Sequence, residues 1–341
     1  MILYAGPFLL WASIPAFRLV LGPAGPLATI ALLLAALMGA EFVAPRGDVL
    51  PTRSAPHRYR MLFHVFVPLQ LLSIVWATGV AARSSMLGFA SLALAVGVTT
   101  GVFGMLAAHE LVHSRNRGER RLGGIMLAGM MYRHFRIAHV HFHHRYAATA
   151  RDCATARLGE GFYAFLARTV PGQFGEAWRF ERTRLSRHAP FSNRARNDIA
   201  IAAATLALAA AVWGAAGAAF FAAQSAVAVI VLELFNYIAH YGLVRDESGT
   251  GAEPLGDRHS WNSSNVLVNL LIFNMGRHSY HHRRPSASYQ ELQYLRAAPE
   301  LPAGYAGSIL LALLPPLWRR VMDGEVEKLR SLPNAEVRRA A

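Results

Sequence analysis

The chain has 341 residues, 54% of them hydrophobic and only 16% charged, and its apolar residues fall in long blocks, which excludes an ordinary soluble protein. The formal net charge of +14 comes mainly from arginines that cluster between the apolar blocks, so the basic balance does not call for a nucleic-acid partner. The single cysteine, Cys153, excludes an internal disulfide and any cysteine-ligated zinc, rubredoxin or iron–sulfur domain, so electrons for redox chemistry would come from another protein.

In chain order, the blocks at 2–21, 26–45, 61–82, 86–108, 199–221 and 223–244 each approach the roughly 20 residues that cross a hydrocarbon core as a helix. They predict an all-α polytopic membrane protein with about six transmembrane helices, built as a single domain over 1–341. The first block lacks a basic leader and a small-residue cleavage site, and is expected to stay as a helix rather than leave as a signal peptide. The loop 46–60 carries Arg46, Arg53, Arg58 and Arg60, and the segment 109–197 is dense in arginine. The loops 22–25 and 217–224 are uncharged, and the 83–85 turn has only Arg83. Because positive loops stay in the cytoplasm, both termini and the polar segments 109–197 and 245–341 are expected on that side, as a helical, histidine-rich cap. Most of these arginines would set topology and touch headgroups, and some would dock an acidic soluble partner. Two weaker apolar stretches, 122–132 and 306–318, are too short to span and are expected to be buried or interfacial.

Fifteen histidines are present, and nine fall into four groups with metal-ligand spacing. "HELVH" places His109 and His113 four apart at the end of the fourth span, on one helical face. "HVHFHH" repeats that spacing in His139 and His143, with His144 about 100° further round, so that one helix could serve two metals. "RHSYHH" supplies His278, His281 and His282, and "NYIAHYGL" supplies His240 inside the last span, where an ionisable residue is a functional candidate by default. His57, His64, His134, His188 and His259 read as surface or hydrogen-bonding residues, and His141 faces away from its neighbours. "HELVH" alone fits a zinc protease, but such a site takes only one further ligand, not seven more histidines. A metal transporter would show polar residues facing one another along several spans, and these spans are almost wholly apolar. Nine neutral imidazoles suit zinc, copper, iron or nickel, exceed what one ion takes, and point to two metals. Zinc does no redox. A dimetal enzyme that uses dioxygen on an apolar substrate drawn from the bilayer fits best.

The same residues carry a family resemblance. H-E-L-x-H, H-x-x-x-H-H and R-H-S-x-H-H are the three histidine boxes of the membrane fatty-acid desaturase superfamily, and His240-Tyr241-Gly242 matches the "HYG" element of its hydroxylase branch. With "ARLGEGFYAFLARTVPG" (156–172), "HSWNSSN" (259–265) and "LPAGYAGSILLALLPPLWRRVMD" (301–323), the chain resembles the integral-membrane alkane 1-monooxygenases from about 105 to 325. Xylene monooxygenase is a relative of that family. The resemblance implies a non-haem centre of two iron ions held by the nine histidines, dioxygen as co-substrate, and hydroxylation of a terminal methyl group. It implies electrons from rubredoxin or ferredoxin through an NAD(P)H reductase, and a multi-pass plasma (bacterial inner) membrane setting. The chain departs from the family pattern at Ala138 and Ala239, where glutamate is usual, and at Phe142, where glycine is usual. None of the three is a proposed ligand, so the metal set is unaffected while orientation of the imidazoles changes. Asp152 is the candidate carboxylate for orienting a ligand. Leu33 and Leu37, in a second span with no aromatic residue before Phe42, are the candidate substrate-lining residues. A hydroxylase or desaturase acting on an alkylbenzene, a terpene or an acyl lipid is the alternative.

Overall fold

The computed structural model describes residues 4–48, 56–185, 193–246 and 253–331, which are helical with no strand among them beyond two isolated bridges. Arg53 and His188 lie outside the described residues, as do the side chains of His57 and Arg58. The principal helices are α1 (Gly6–Leu21), α2 (Leu27–Val43), α3 (Pro56–Ala81), α4 (Met86–Val112), α5 (Arg117–Ala128) and α6 (Phe162–Leu185). They are followed by α7 (Arg194–His240), α8 (Val266–Leu271), α9 (His278–Arg283), α10 (Gly304–Ala312) and α11 (Pro315–Ser331).

Among the described residues, four helices are long and apolar enough to cross a membrane: Gly6–Ala24, Tyr59–Ala81, Met86–Val112 and Arg194–His240. α2 is apolar but has only 17 residues. The 47-residue α7 is two helices rather than one, because Gly214 inside it has φ 71° and ψ −172°. A Cβ placed on Gly217 lies 3.1 Å from the carbonyl oxygen of Ala209, where eight residues of straight helix would put about 12 Å between them. The chain therefore doubles back at Gly214. Together with α2, the two limbs of α7 bring the total to the six expected spans. The reversal comes earlier than the uncharged loop 217–224, at a residue free to take positive φ.

Backbone packing divides the chain into two interleaved compact units. The first comprises 1–36, 55–138 and 174–232, and holds most of the spanning helices. Within it, α4 meets α7 at van der Waals limits: a Cβ on Gly97 would lie 2.5 Å from the Val227 side chain, and one on Gly101 2.7 Å from the Ala228 carbonyl. Small residues let apolar helices approach closely where lipid offers no hydrophobic drive. Polar bonds tie α3 to α4 and α7 to the end of α5. Gln70 Nε2 donates to Thr100 Oγ1 (2.8 Å), and Gln224 Nε2 donates to the carbonyl of Gly129 (2.9 Å). α4 is opened by a π-turn, Thr100–Gly104, just before the segment that carries His109. α5 starts where Asn116 Oδ1 accepts from the Gly118 and Glu119 amides. Its partly buried apolar face accounts for the 122–132 stretch.

The second unit comprises 37–54, 139–173 and 233–341. Its interior is polar. The run Ser260–Asn265 is buried throughout, and every side chain in it but that of Ser260 is hydrogen-bonded. Asn262 Nδ2 donates to Ser279 Oγ (2.8 Å) and its Oδ1 accepts from the Ser279 amide (3.0 Å), which pins the start of α9. Asn265 Nδ2 donates to the carbonyls of Ala40 and Ala44 (both 2.9 Å) at the end of α2. Trp261 Nε1 donates to the Tyr241 carbonyl (2.9 Å). These bonds satisfy groups that burial would otherwise leave costly, and they fix the frame on which the histidines stand. The 306–318 stretch forms α10 and the start of α11, with Tyr305, Ser308 and Trp318 buried and Leu310, Leu314 and Leu317 exposed.

Candidate metal centre

Within the second unit, seven of the nine candidate histidines form two sets. The first set is His143, His240, His278 and His282, one nitrogen of each lying within 4.8 Å of all the others. His240 Nε2 is 3.1 Å from His282 Nε2 and 3.2 Å from His278 Nε2, and the last two are 3.0 Å apart. The second set is His139, His144 and His281, with His144 Nε2 3.0 Å from His139 Nε2 and 3.2 Å from His281 Nε2. The sets are neighbours: the rings of His144 and His282 have centroids 4.7 Å apart.

The allocation of residues to sets follows from local geometry and differs from simple helical spacing. His139–His143 is a π-turn, flanked by helical turns at Phe135–Ala138 and His144–Tyr146. In a π-turn the register is i to i+5 rather than i to i+4. His139 therefore joins His144, and His143, expected beside His139, turns to the first set. On α9 the ordinary register holds: His278 and His282, four apart, share the first set while His281 joins the second.

Secondary partners fix the tautomers. His240 Nδ1 lies 2.8 Å from the carbonyl of His259, which only accepts, so Nδ1 carries the proton and Nε2 presents a lone pair inward. His143 Nδ1 lies 2.9 Å from Asp152 Oδ2, and its buried Nε2 has no hydrogen-bond partner. Asp152 is itself buried and accepts from Thr155 Oγ1 (2.7 Å) and the Ala154 amide (3.0 Å). Burial would raise the Asp152 carboxyl, but the His143 imidazole and the Thr155 hydroxyl outweigh it and hold the carboxyl below its usual range. Burial, reinforced by neighbouring imidazoles, pushes His282 well below the usual histidine range, so it too is neutral. Converging ring nitrogens, with the orphaned Nε2 of His143 among them, are the donor set that a soft or borderline transition metal needs.

The other two candidates, His109 and His113, belong to the first unit, at the end of α4, with ring centroids 4.9 Å apart and His109 buried. Leu33 and Leu37 are both buried, one turn apart on α2. Of the histidines set aside, His141 is exposed and His64 is held by the Arg60 carbonyl (2.9 Å). His134 departs from its surface reading: it is buried beside Tyr132 and Phe174 with Nε2 unpartnered. His259 is buried as well, its Nδ1 accepting from the Gly256 amide (2.8 Å) and its Nε2 3.0 Å from Glu253 Oε1. Sequence reasoning missed its part in the site because the group that touches His240 is a backbone carbonyl. The only signal was its place in "HSWNSSN".

The sequence pattern of the fatty acid desaturase family matches residues 83–309. The chain is 38% identical to alkane 1-monooxygenase 2 of Pseudomonas aeruginosa over 303 residues, 86% of this chain and 80% of that one. It is 37% identical to an alkane 1-monooxygenase of Ectopseudomonas oleovorans, over 86% of this chain and 75% of that one. The hydroxylase component of a xylene/toluene monooxygenase from Pseudomonas putida is 30% identical, over 69% of this chain and 63% of that one.

Proposed function

The chain belongs to the alkane 1-monooxygenase family, within the wider fatty acid desaturase group, and on that premise we propose that it hydroxylates the terminal methyl group of an alkane. It is a membrane oxidoreductase. The observation that carries the reading is the first histidine set, whose buried imidazoles are held in metal-binding tautomers by Asp152 and by the His259 carbonyl. In this reading one iron takes His143, His240, His278 and His282. Three imidazoles, His139, His144 and His281, would leave a second iron short of ligands, and the His109/His113 pair of "HELVH" would complete it. Two irons so held would activate dioxygen for attack on an unactivated C–H bond.

The remaining work is done by this chain's own residues. Asp152 and the His259 carbonyl orient imidazoles and raise their basicity. Asn262 and Ser279 hold the start of α9, which carries three of the ligands. Leu33 and Leu37 would line the substrate path, so that tryptophan at either position shortens the accepted chain. An unchanged product profile in both variants would sink that assignment. Electrons would enter from an acidic rubredoxin or ferredoxin served by an NAD(P)H reductase. A cavity of about 980 Å³ in the second unit reaches His259, and its lining of Arg258, Arg283, Arg296 and Arg330 is nearly balanced by Asp246, Glu253 and Asp257. The arginine-rich segments and both termini would lie in the cytoplasm, with the spans in the bacterial inner membrane.

Metal analysis of the detergent-purified protein, with His240→Ala and His281→Ala, tests the reading. It predicts about two irons per chain, falling in both variants together with hydroxylated product. Zinc alone, or a full iron load without His240, would overturn it. The likeness to the xylene/toluene enzyme favours one second reading, an alkylbenzene substrate, and whole-cell product analysis with both substrate classes separates the two.

A further inference from the structure

The residue after His240 begins a cluster that the reaction above leaves unused. Tyr237, Tyr241 and Trp318 are fully buried, and their rings meet pairwise: Tyr241–Trp318 at 5.2 Å, Tyr237–Tyr241 and Tyr237–Trp318 each at 5.3 Å. Phe162 and Phe165 close over Tyr237 at 5.6 and 5.4 Å. Tyr237 lies three residues before His240 on the same helix, and Tyr241 is bonded to it in sequence. The Tyr241 hydroxyl donates to Asp323 Oδ1 at 2.6 Å, and the Tyr237 hydroxyl donates to the Glu160 carbonyl at 2.6 Å. Packing alone does not require these residue types. Along the spanning helices, ring pairs such as Phe8–Phe66, Phe66–Phe103 and Phe89–Phe220 are made of phenylalanine, with Phe66, Phe103 and Phe220 buried. Beside His240 the same job is given to two phenols and an indole, the side chains that lose an electron most readily, and one phenol is hydrogen-bonded to a carboxylate able to take its proton.

We propose that Tyr241, Trp318 and Tyr237 are a redox-active set that discharges the metal centre when its oxidising equivalent finds no substrate. The inference rests on the proposed function, since that reaction supplies the oxidant from dioxygen. Tyr241 gives one electron to the oxidised centre and its phenolic proton to the Asp323 carboxylate. Trp318 then gives an electron to the tyrosyl radical as Asp323 returns the proton, and Tyr237, in ring contact with both, shares the hole. A small thiolate outside the protein fills the hole on the indole, and two thiyl radicals so formed pair as a disulfide. The ligand imidazoles are thereby spared oxidation, which is one way a site excludes competing reactions.

The test is electron paramagnetic resonance of the iron-loaded, reduced protein, frozen after exposure to dioxygen with and without alkane. Peptide mass spectrometry for oxygenated Tyr241 and Trp318 accompanies it. The expected result is an organic radical in the alkane-free sample that is largely suppressed by alkane. It should narrow to a purely tyrosyl signal in Trp318→Phe and vanish in Tyr241→Phe. Both variants should also lose hydroxylation capacity severalfold sooner during alkane-free turnover. Absence of a radical in a preparation that hydroxylates alkane overturns the proposal and leaves the proposed function standing, as does a signal unchanged in both variants. An iron-loaded preparation that yields no hydroxylated product overturns the proposed function, and this inference with it.

Discussion

The two compact units bury different chemistry. In the first, polar side chains are sparse along the spans, with contacts such as Gln70 to Thr100, and helices approach through Gly97 and Gly101. In the second, asparagines, serines, histidines and Arg277 fill the interior, and Asn262, Asn265 and Arg277 each bond more than once. The difference follows from what each must hold. Spanning helices satisfy their own backbones and need only close contact. A set of converging imidazoles needs each ring turned to a fixed angle, and only directional bonds supply that.

The contrast can be broken most severely at the glycines. Gly101→Leu forces a side chain into the Ala228 backbone and should cost about 3 kcal/mol, read as loss of folded protein in detergent thermal unfolding. In the second unit, Asp152→Ala removes the carboxylate behind His143 and should weaken metal binding roughly 10–100-fold while leaving the helical content intact. Equilibrium dialysis with iron, beside circular dichroism, checks both halves. An unaltered affinity would show that Asp152 does not orient the ligand.

A smaller effect is expected from pH. Burial, helped by Arg136, pushes His134 down to about 4 from an ordinary value of 6.5. The folded state thus binds fewer protons there than the unfolded chain. Its stabilisation is full above pH 6.5 and is lost as pH falls from 6.5 toward 4. His134→Gln should flatten that part of the melting-temperature profile relative to the parent, and parallel profiles would refute the assignment. The smallest change is predicted for Gln70→Leu, which removes one bond between apolar helices at a cost of about 0.6 kcal/mol. A loss several times larger would mean the first unit relies on polar bonds as the second does.

Spans and histidine boxes were legible because each depends on a short-range property, either block hydropathy or ligand spacing. The sorting of the histidines into two sets was not legible. The π-turn at His139–His143 is a choice of hydrogen-bond register made by surrounding packing, and no residue in "HVHFHH" announces it. The reversal at Gly214 was blurred for a related reason: 199–244 is alanine- and glycine-rich throughout, and only the backbone angle singles out one glycine. Asp152, singled out in the sequence, lies 2.9 Å from His143 Nδ1, whereas the His259 contact runs through a carbonyl that every residue possesses.

Asn265 has one further consequence. Its amide grips the last carbonyls of α2, two turns beyond Leu33 and one beyond Leu37, while its neighbours in the same run hold the first turn of α9. The end of α2 and the helix that carries His278, His281 and His282 therefore hang from one short buried segment, so a shift at either end is felt at the other.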